Sequence, residues 1–417
     1  MHARSRHRGS STPARDSAFY RESHRDLLGT LTLRRQSSGS LDAIAVPTSR
    51  ELGDGLPGLE LAAQLAIKTD SLLLVLCSGS ARAREVQAFL GGGLGARLIC
   101  RDLPDRRALF LPMFRSSGNR LSRLYRSADT GTKRNVALAL AAVSGWVNIL
   151  FLDDDMFTGD AKFALDSRSL ADALRAMHAV EGMRAVGWPV ESFPDNSVVG
   201  HARRLSDMKQ QTFVGGGALL VRCDRNVAFF PDIFNEDWLF LIATARASSD
   251  YRSSIGYGGS VEQLTFDPFR VVRARSEEVG DIIGEGLMNL LEDDGPAFFA
   301  EAQSTDYWCR VINGRAALID QLHATLAGKP RTLELMRACT ALSAARDVHR
   351  RIDPDEIVRY LTDWQRDLAE WRGYLASLAA RQLKRWADPA LVLDWLMSAG
   401  PPAEKRLSNY HARHVKR

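Results

Sequence analysis

The stretch "NILFLDDDMF", residues 148–157, ends an apolar run with three carboxylates. The run into it reads as a strand buried on both faces, with Asp153, Asp154 and Asp155 at its tip. Adjacent like charges destabilise one another's ionised forms. A chain that keeps three acids together offers them to water, to basic side chains or to a cation.

The segments before this strand alternate between two periods. "DAIAVPT" is a short β-type run stopped by Pro47, and "GLPGLELAAQLAIKT" follows with helical spacing. "SLLLVLCSGS" is a continuous apolar strand, "ARAREVQAFL" is helical, and "ARLICRDL" is a third strand. "GTKRNVALALAAVSG" makes a helix closed by Gly145 and leads into the aspartates. This rhythm predicts an α/β domain with a mostly parallel sheet flanked by helices. In such sheets ligands bind outside the carboxyl ends of the strands, where the aspartates lie.

Farther on, "RAVGWPVESF" and "FVGGGALLVR" are strand candidates, separated by a polar loop holding His201, Arg203 and Arg204. From about residue 270 the pattern is helical. In "IVRYLTDWQRDLAEWRGYLASLAA", Leu361, Trp364, Leu368, Trp371 and Leu375 recur at three- and four-residue steps, an amphipathic helix. Its polar face mixes both charges, which favours packing on the domain, or on a sister helix in an oligomer, over a membrane surface.

Composition narrows the function classes. The chain has 417 residues, 45% hydrophobic and 25% charged, with a net charge of +5, all ordinary for a globular protein. Residues 1–40 read as a disordered leader rich in Ser and Arg, a solvated tail rather than a nucleic-acid arm. No segment suits a secretory signal or a transmembrane helix. Cys77, Cys100, Cys223, Cys309 and Cys339 are scattered without a CxxC pair, which points to a reducing cytoplasm and away from a zinc cluster.

Several chemistries use clustered aspartates. Terpene cyclases need DDxxD on a helix, but here Phe157 and Thr158 follow and the flank is a strand. Haloacid-dehalogenase phosphatases need Thr or Val where Phe157 stands. Metal-dependent nucleotidyltransferases remain, although "VPTSRELGDG" is a poor phosphate loop. So do glycosyltransferases whose metal bridges the diphosphate of a nucleotide sugar.

The order of "VPTSR", "CSGS", "TKRN" and "ILFLDDDM", followed by "FVGGGALLVRCDRNVAFFPDIFNEDWLFL", resembles the GT-A fold, particularly family 2-like glycosyltransferases, over about residues 42–270. The resemblance implies a GT-A domain at 41–270 and a helical region at 271–417. It implies Mn2+ or Mg2+ held by Asp155, as the last acid of the motif, with Asp153. Asp153 or Asp154 would contact the ribose or act through water. Pro47, Thr48, Ser49 and Arg50 would lie at the base and ribose, and Lys133, Arg134 and Asn135, opening a helix, would hold the nucleotide. Where many members place an acid after the second strand, this chain has Ser78, so a UDP-sugar and a GDP-sugar both stay open. Gly215, Gly216 and Gly217 mark close backbone approach near donor sugar or acceptor. Asp237 is the candidate base, with Glu236 as the alternative and a helix N-cap as the structural reading of Asp237.

Three features are less specific. His201 reads as a surface histidine, or else a third metal ligand or acceptor contact. Glu278, Asp281 and Glu285 at helical steps read as a solvated face, or else as a guide for acceptor or a second cation. "EQLTFDPFR" is a candidate lid. Together these features predict a cytoplasmic enzyme that moves a hexose from a nucleotide diphosphate sugar to an unidentified hydroxyl acceptor, with inversion. The alternatives are a nucleotidyltransferase with a similar metal site and a non-catalytic scaffold.

Overall fold

The computed structural model describes residues 21, 23–31, 39–53, 55–121, 129–159, 164–380 and 388–398. After the short edge strand β1 (Leu28–Gly29), the chain builds β2 (Ala43–Thr48), α1 (Pro57–Thr69), β3 (Leu72–Cys77), α2 (Ala83–Leu94) and β4 (Leu98–Asp102). A one-turn α3 (Arg115–Gly118) precedes α4 (Thr130–Ser144) and β5 (Asn148–Leu152). Then come β6 (Met156–Phe157), α5 (Ser167–Ala179), β7 (Ala185–Gly187), α6 (Val198–Leu205), β8 (Ala218–Arg222), α7 (Glu236–Arg246), β9 (Ile255–Tyr257) and β10 (Glu262–Gln263). The described remainder holds helices only: α8 (Val271–Asp294), α9 (Thr305–Ala327), α10 (Leu333–His349), α11 (Pro354–Ala380) and α12 (Pro389–Leu396), with short 3-10 turns.

Eight strands form one sheet in the order β1-β9-β7-β8-β5-β2-β3-β4. Every pairing is parallel except those of β8, which runs antiparallel to both β5 and β7. The mostly parallel α/β architecture expected from the sequence is therefore present. The period-2 alternation of a strand explains why β5 had to be apolar throughout. Ile149 and Phe151 enter the core on one face, and Leu150 and Leu152 enter the core on the other. Strand order reverses between β2 and β5, which opens a crevice at their carboxyl ends.

The helix closed by Gly145 is α4, and Gly145 takes the left-handed conformation at its end (φ 74°). The apolar stripe of α11 is consumed within the chain: Trp364 and Trp371 are buried, and Trp371 Nε1 donates to Val227 O at 3.1 Å. Asp367 accepts from the Arg115 and Ser116 amides at 2.9 and 2.8 Å, satisfying the start of α3. One hydrophobic cluster continues from β2, β5 and β8 into α8, α9 and α11.

Two expectations need correction. The leader read over 1–40 is not wholly outside the fold, because β1 pairs with β9 and Leu27 and His24 are buried. Residues 1–20 lie outside the described residues. The polar loop around His201 is helix α6, started by Ser197 Oγ accepting from Gly200 N at 2.9 Å. Its buried face joins Val198, Val199 and Ala202 to Phe269 and to residues of α9 and α10. Among the described residues, no helix is long and apolar enough to cross a membrane.

Candidate active site

The backbone of the aspartate turn is gripped on several sides. Asp153 N donates to Gly217 O at 2.8 Å, tying the end of β5 to the start of β8. Gly58, in the first turn of α1, donates to Asp154 O at 3.0 Å. A Cβ at position 58 would stand 2.1 Å from Asp153 O, so only glycine fits there. Strands β6 and β10 pair antiparallel, and Leu264 N donates to Asp155 O at 2.9 Å.

From this turn the three side chains diverge. Asp154 is buried, accepts from Thr48 Oγ1 at 2.5 Å and pairs with Arg50. Asp155 accepts from Arg50 Nη2 at 2.7 Å and from Gln263 Nε2 at 2.8 Å. Asp153 accepts from Arg134 Nη2 at 2.8 Å. Asp153 and Asp155 line a cleft of about 660 Å³, whereas Asp154 braces the end of β2 from behind.

Helix α4 begins at Thr130, so Lys133, Arg134 and Asn135 do not open it but follow its first three residues, and they serve different tasks. Lys133 Nζ donates to Thr48 O at 2.8 Å and Ser78 Oγ at 2.7 Å, and pairs with Asp129 at 2.8 Å. Ser78 in turn donates to Asp129 Oδ1 at 3.1 Å, which sets a carboxylate beside the residue that lacked one after the second strand. Arg134 bridges the two acidic groups: besides Asp153 it reaches Glu236 Oε1 at 3.3 Å and Gly216 O at 3.0 Å. Asn135 does not reach the cleft. Its amide closes a two-way bond with the Phe230 backbone, at 2.7 and 2.8 Å, and it serves packing.

Facing the aspartates across the cleft is the start of α7. Asp237 Oδ2 accepts from Gly216 N at 2.6 Å, and Oδ1 accepts from its neighbour Trp238 N at 2.8 Å. The glycine run precedes β8 and lines the cleft. A Cβ at Gly216 would stand 2.5 Å from Arg134 Nη1, and one at Gly217 would stand 2.4 Å from Met156 Cε, so both mark close approach. The farther wall is aromatic, with Trp188, Phe193, Phe213, Trp238 and Phe266. The segment read as a lid contributes Gln263 and Phe266 to this rim.

Arg50, Arg134, Asp153, Asp155, the three glycines, Glu236 and Asp237 thus share one cleft. Thr48, Ser78 and Lys133 form an adjoining cluster at the ends of β2 and β3, joined to the cleft through Asp154 and Arg50. Sequence reasoning missed Gly58, Asp129 and Gln263. Only Asp129 carried a signal, as an acid four residues before Lys133 at a helix start.

Carboxylates outnumber cations here. Five acids, Asp153, Asp154, Asp155, Glu236 and Asp237, share Arg50 and Arg134. Burial pushes Asp153 up to about 6, with Asp155 and Asp154 adding to the rise and Arg134 opposing it. Burial, and then Asp237, push Glu236 up to about 8 against Arg134. An all-oxygen donor set with surplus negative charge suits a hard divalent cation such as Mg2+ or Mn2+. Among the described residues no group of three or more His, Cys, Asp or Glu side chains is arranged to hold a metal. Two carboxylates fit a cation that keeps most of its positions for water and ligand oxygens.

Two expected readings fail. His201 is neither a surface residue nor a cleft residue: it is buried against Phe193, Phe266 and Phe269, beside Arg204. Burial, then Arg204 and Arg273, hold it down to about 3, so it is neutral. Glu278, Asp281 and Glu285 are not a solvated face either. They are buried in α8, where Arg315 meets Glu278 at 2.8 and 2.9 Å and Asp281 at 2.5 Å.

No family model and no curated protein matches the sequence. Solved structures do. Glucosyl-3-phosphoglycerate synthase from Mycobacterium tuberculosis, in complex with Mn2+, UDP and phosphoglyceric acid, aligns with 62% of this chain and 84% of its own, at 17% identity and a TM-score of 0.39. A mannosyltransferase from Pyrobaculum calidifontis, in complex with GDP-Man and Mn2+, aligns with 85% of this chain and 90% of its own, at 14% identity and a TM-score of 0.42. Likenesses this distant leave the chemistry to rest on the cleft's own residues.

Proposed function

We propose that the chain is a metal-dependent glycosyltransferase that moves a hexose from a UDP- or GDP-sugar to a hydroxyl acceptor. One observation carries the reading: a pair of strand-end carboxylates and a helix-start acidic pair face each other across a single cleft at the reversal of strand order. The first pair suits a diphosphate-bound cation, and the second suits an acceptor hydroxyl.

Asp155 and Asp153 would hold Mn2+ or Mg2+, which when bound offsets the charge growing on the departing diphosphate. Of the cluster of Thr48, Ser78, Asp129 and Lys133, the partly exposed Asp129 carboxylate would offer an acceptor to the nucleoside. Arg50, half exposed and paired with Asp154 and Asp155, would meet a phosphate. Asp237, fixed by two amides, takes the acceptor proton as the acceptor oxygen bonds to the sugar's anomeric carbon and the carbon–phosphate-oxygen bond breaks. A single displacement of this kind inverts the anomeric centre. Glu236, pushed up to about 8 by burial and then by Asp237, is the less suited of the two acids to act as base.

Isothermal titration of the protein with UDP and with GDP, with and without Mn2+, tests this reading. Manganese-dependent binding of one nucleotide, lost in Asp155→Ala, is the expected result. No binding of either nucleotide by folded protein sinks it. Release of pyrophosphate in place of a nucleoside diphosphate from the nucleotide sugar would move the chain to the nucleotidyltransferases.

A further inference from the structure

Helix α8 presses on the short turn that delivers the acidic pair. Asn235, just before Glu236 and Asp237, adopts a left-handed backbone (φ 62°, ψ 34°). Asparagine tolerates this conformation better than most residues, but it still requires surroundings that impose it. Two features of α8 do so. Its glycines let the helix backbone come close: a Cβ at Gly280 would stand 2.1 Å from Phe234 O, and one at Gly284 would stand 2.9 Å from the Trp238 ring. Between them, Asp281 Oδ1 accepts from Asn235 Nδ2 at 2.8 Å.

Asp281 is itself fixed from behind. Arg315, on α9, donates to its Oδ2 at 2.5 Å and makes a two-pronged contact with Glu278. His349, ending α10, lies 2.9 Å from Glu278 through Nε2. These four side chains are buried. The chain of contacts therefore runs from three helices through Asp281 and Asn235 to Asp237, and from Asp237 across the cleft to the Gly216 amide.

We infer that Asp281 is a positioning residue for the acidic pair: through Asn235 it fixes the left-handed turn, and with it the hold of Asp237 on the Gly216 amide. The inference rests on the reading of that pair proposed above. A network that served stability alone would tie α8, α9 and α10 together and would be indifferent to the Asn235 side chain. Glycine enters the left-handed region freely, so Asn235→Gly removes the link and leaves the backbone path allowed.

Hydrogen exchange of the full chain, read by peptide mass, tests this without any substrate. In Asn235→Gly and in Asp281→Ala, peptides carrying the Gly216 and Trp238 amides should exchange about tenfold faster, the scale of one lost hydrogen bond, while α4 peptides stay at wild-type rates. The double variant should exchange no faster at Gly216 than Asp281→Ala, because both changes cut the same link. Release of nucleoside diphosphate from the nucleotide sugar should fall in the same variants, with manganese-dependent nucleotide binding kept within about twofold. Unchanged exchange at Gly216 in Asn235→Gly overturns the inference, and so do additive effects in the double variant. Wild-type protein that binds no nucleotide overturns the proposed function instead, and the exchange result stands apart from it.

Discussion

Asp153, Asp154 and Asp155 end a strand at the rim of a cleft, whereas Glu278, Asp281 and Glu285 run along a helix sealed inside the molecule. Both trios are acidic and both contain side chains whose burial disfavours charge. They differ in what answers them. The helical trio meets Arg315 at hydrogen-bond distance twice over, with His349 on Glu278 and His24 near Glu285 at 3.9 Å. The strand trio and the acidic pair opposite share two arginines, one of them half exposed. A buried charge is tolerated when it is matched, and breaking the match leaves an uncompensated charge behind. Within the helical trio Glu278 and Asp281 are matched by Arg315, while the strand trio is left to be matched by a ligand.

Substitutions can break this comparison. Arg315→Ala strands Glu278 and Asp281 in the core and should destabilise the fold by roughly 3–5 kcal/mol, read by denaturant unfolding. Asp155→Ala, by contrast, relieves crowding among like charges. Its unfolding midpoint should match or exceed the wild type's while donor binding is lost. A large loss of stability in Asp155→Ala would show that the two trios are not different in kind.

Turnover comes next. Asp237→Asn keeps the shape and removes the base, so it should cost about 100- to 10,000-fold in the transfer rate with little change in nucleotide affinity. If Glu236→Gln, not Asp237→Asn, abolishes transfer, the roles assigned to the two acids are reversed.

The dependence of stability on pH is the most diagnostic effect. Glu278 is held down to about 2: burial opposes its charge, but Arg315 and the bond to His349 more than offset this, with Asp281 facing the same arginine. An unfolded glutamate ionises near ~4.3, so the stability due to Glu278 is present above that value and is lost as pH falls toward about 2. Glu236 runs the other way. Facing Arg134, Asp237 and Asp153, it keeps its proton to about 8, so its contribution declines as pH rises from ~4.3 to about 8. Unfolding curves across pH 2–9 in metal-free buffer should show both limbs. Glu278→Gln should flatten the acid limb alone, and Glu236→Gln the alkaline limb alone.

The sequence made one trio legible and hid the other. Asp153–Asp155 follow an unbroken apolar strand, and a charge block at that place has few structural uses. Strands β2 to β5 and helix α4 were equally plain, because each carries its own apolar period. Acids at three- and four-residue steps look the same on a wet helix face and in a buried network. The deciding partner, Arg315, lies 37 residues beyond Glu278. For the same reason Asn135 passed for a ligand residue, since its true partner is the Phe230 backbone 95 residues away. Strands of two or three residues, such as β1, β6, β9 and β10, are too short to show any period. Helix α6 was hidden by His201, Arg203 and Arg204, which read as a polar loop although His201 and Arg203 are buried.

Strand β1 has a practical consequence. Judged by its serine and arginine content, the first stretch of the chain invites removal, and a shortened gene would start near codon 40. That cut would take Leu27 out of the core and leave β9 without its outer neighbour. It would also lift His24 from Phe213 and Trp238, whose rings it meets at 4.5 and 4.8 Å and which wall the cleft. The trimmed product would keep every acid of the site yet lose the wedge behind two of its walls. Any shortening that keeps these contacts leaves His24, Leu27 and β1 in place.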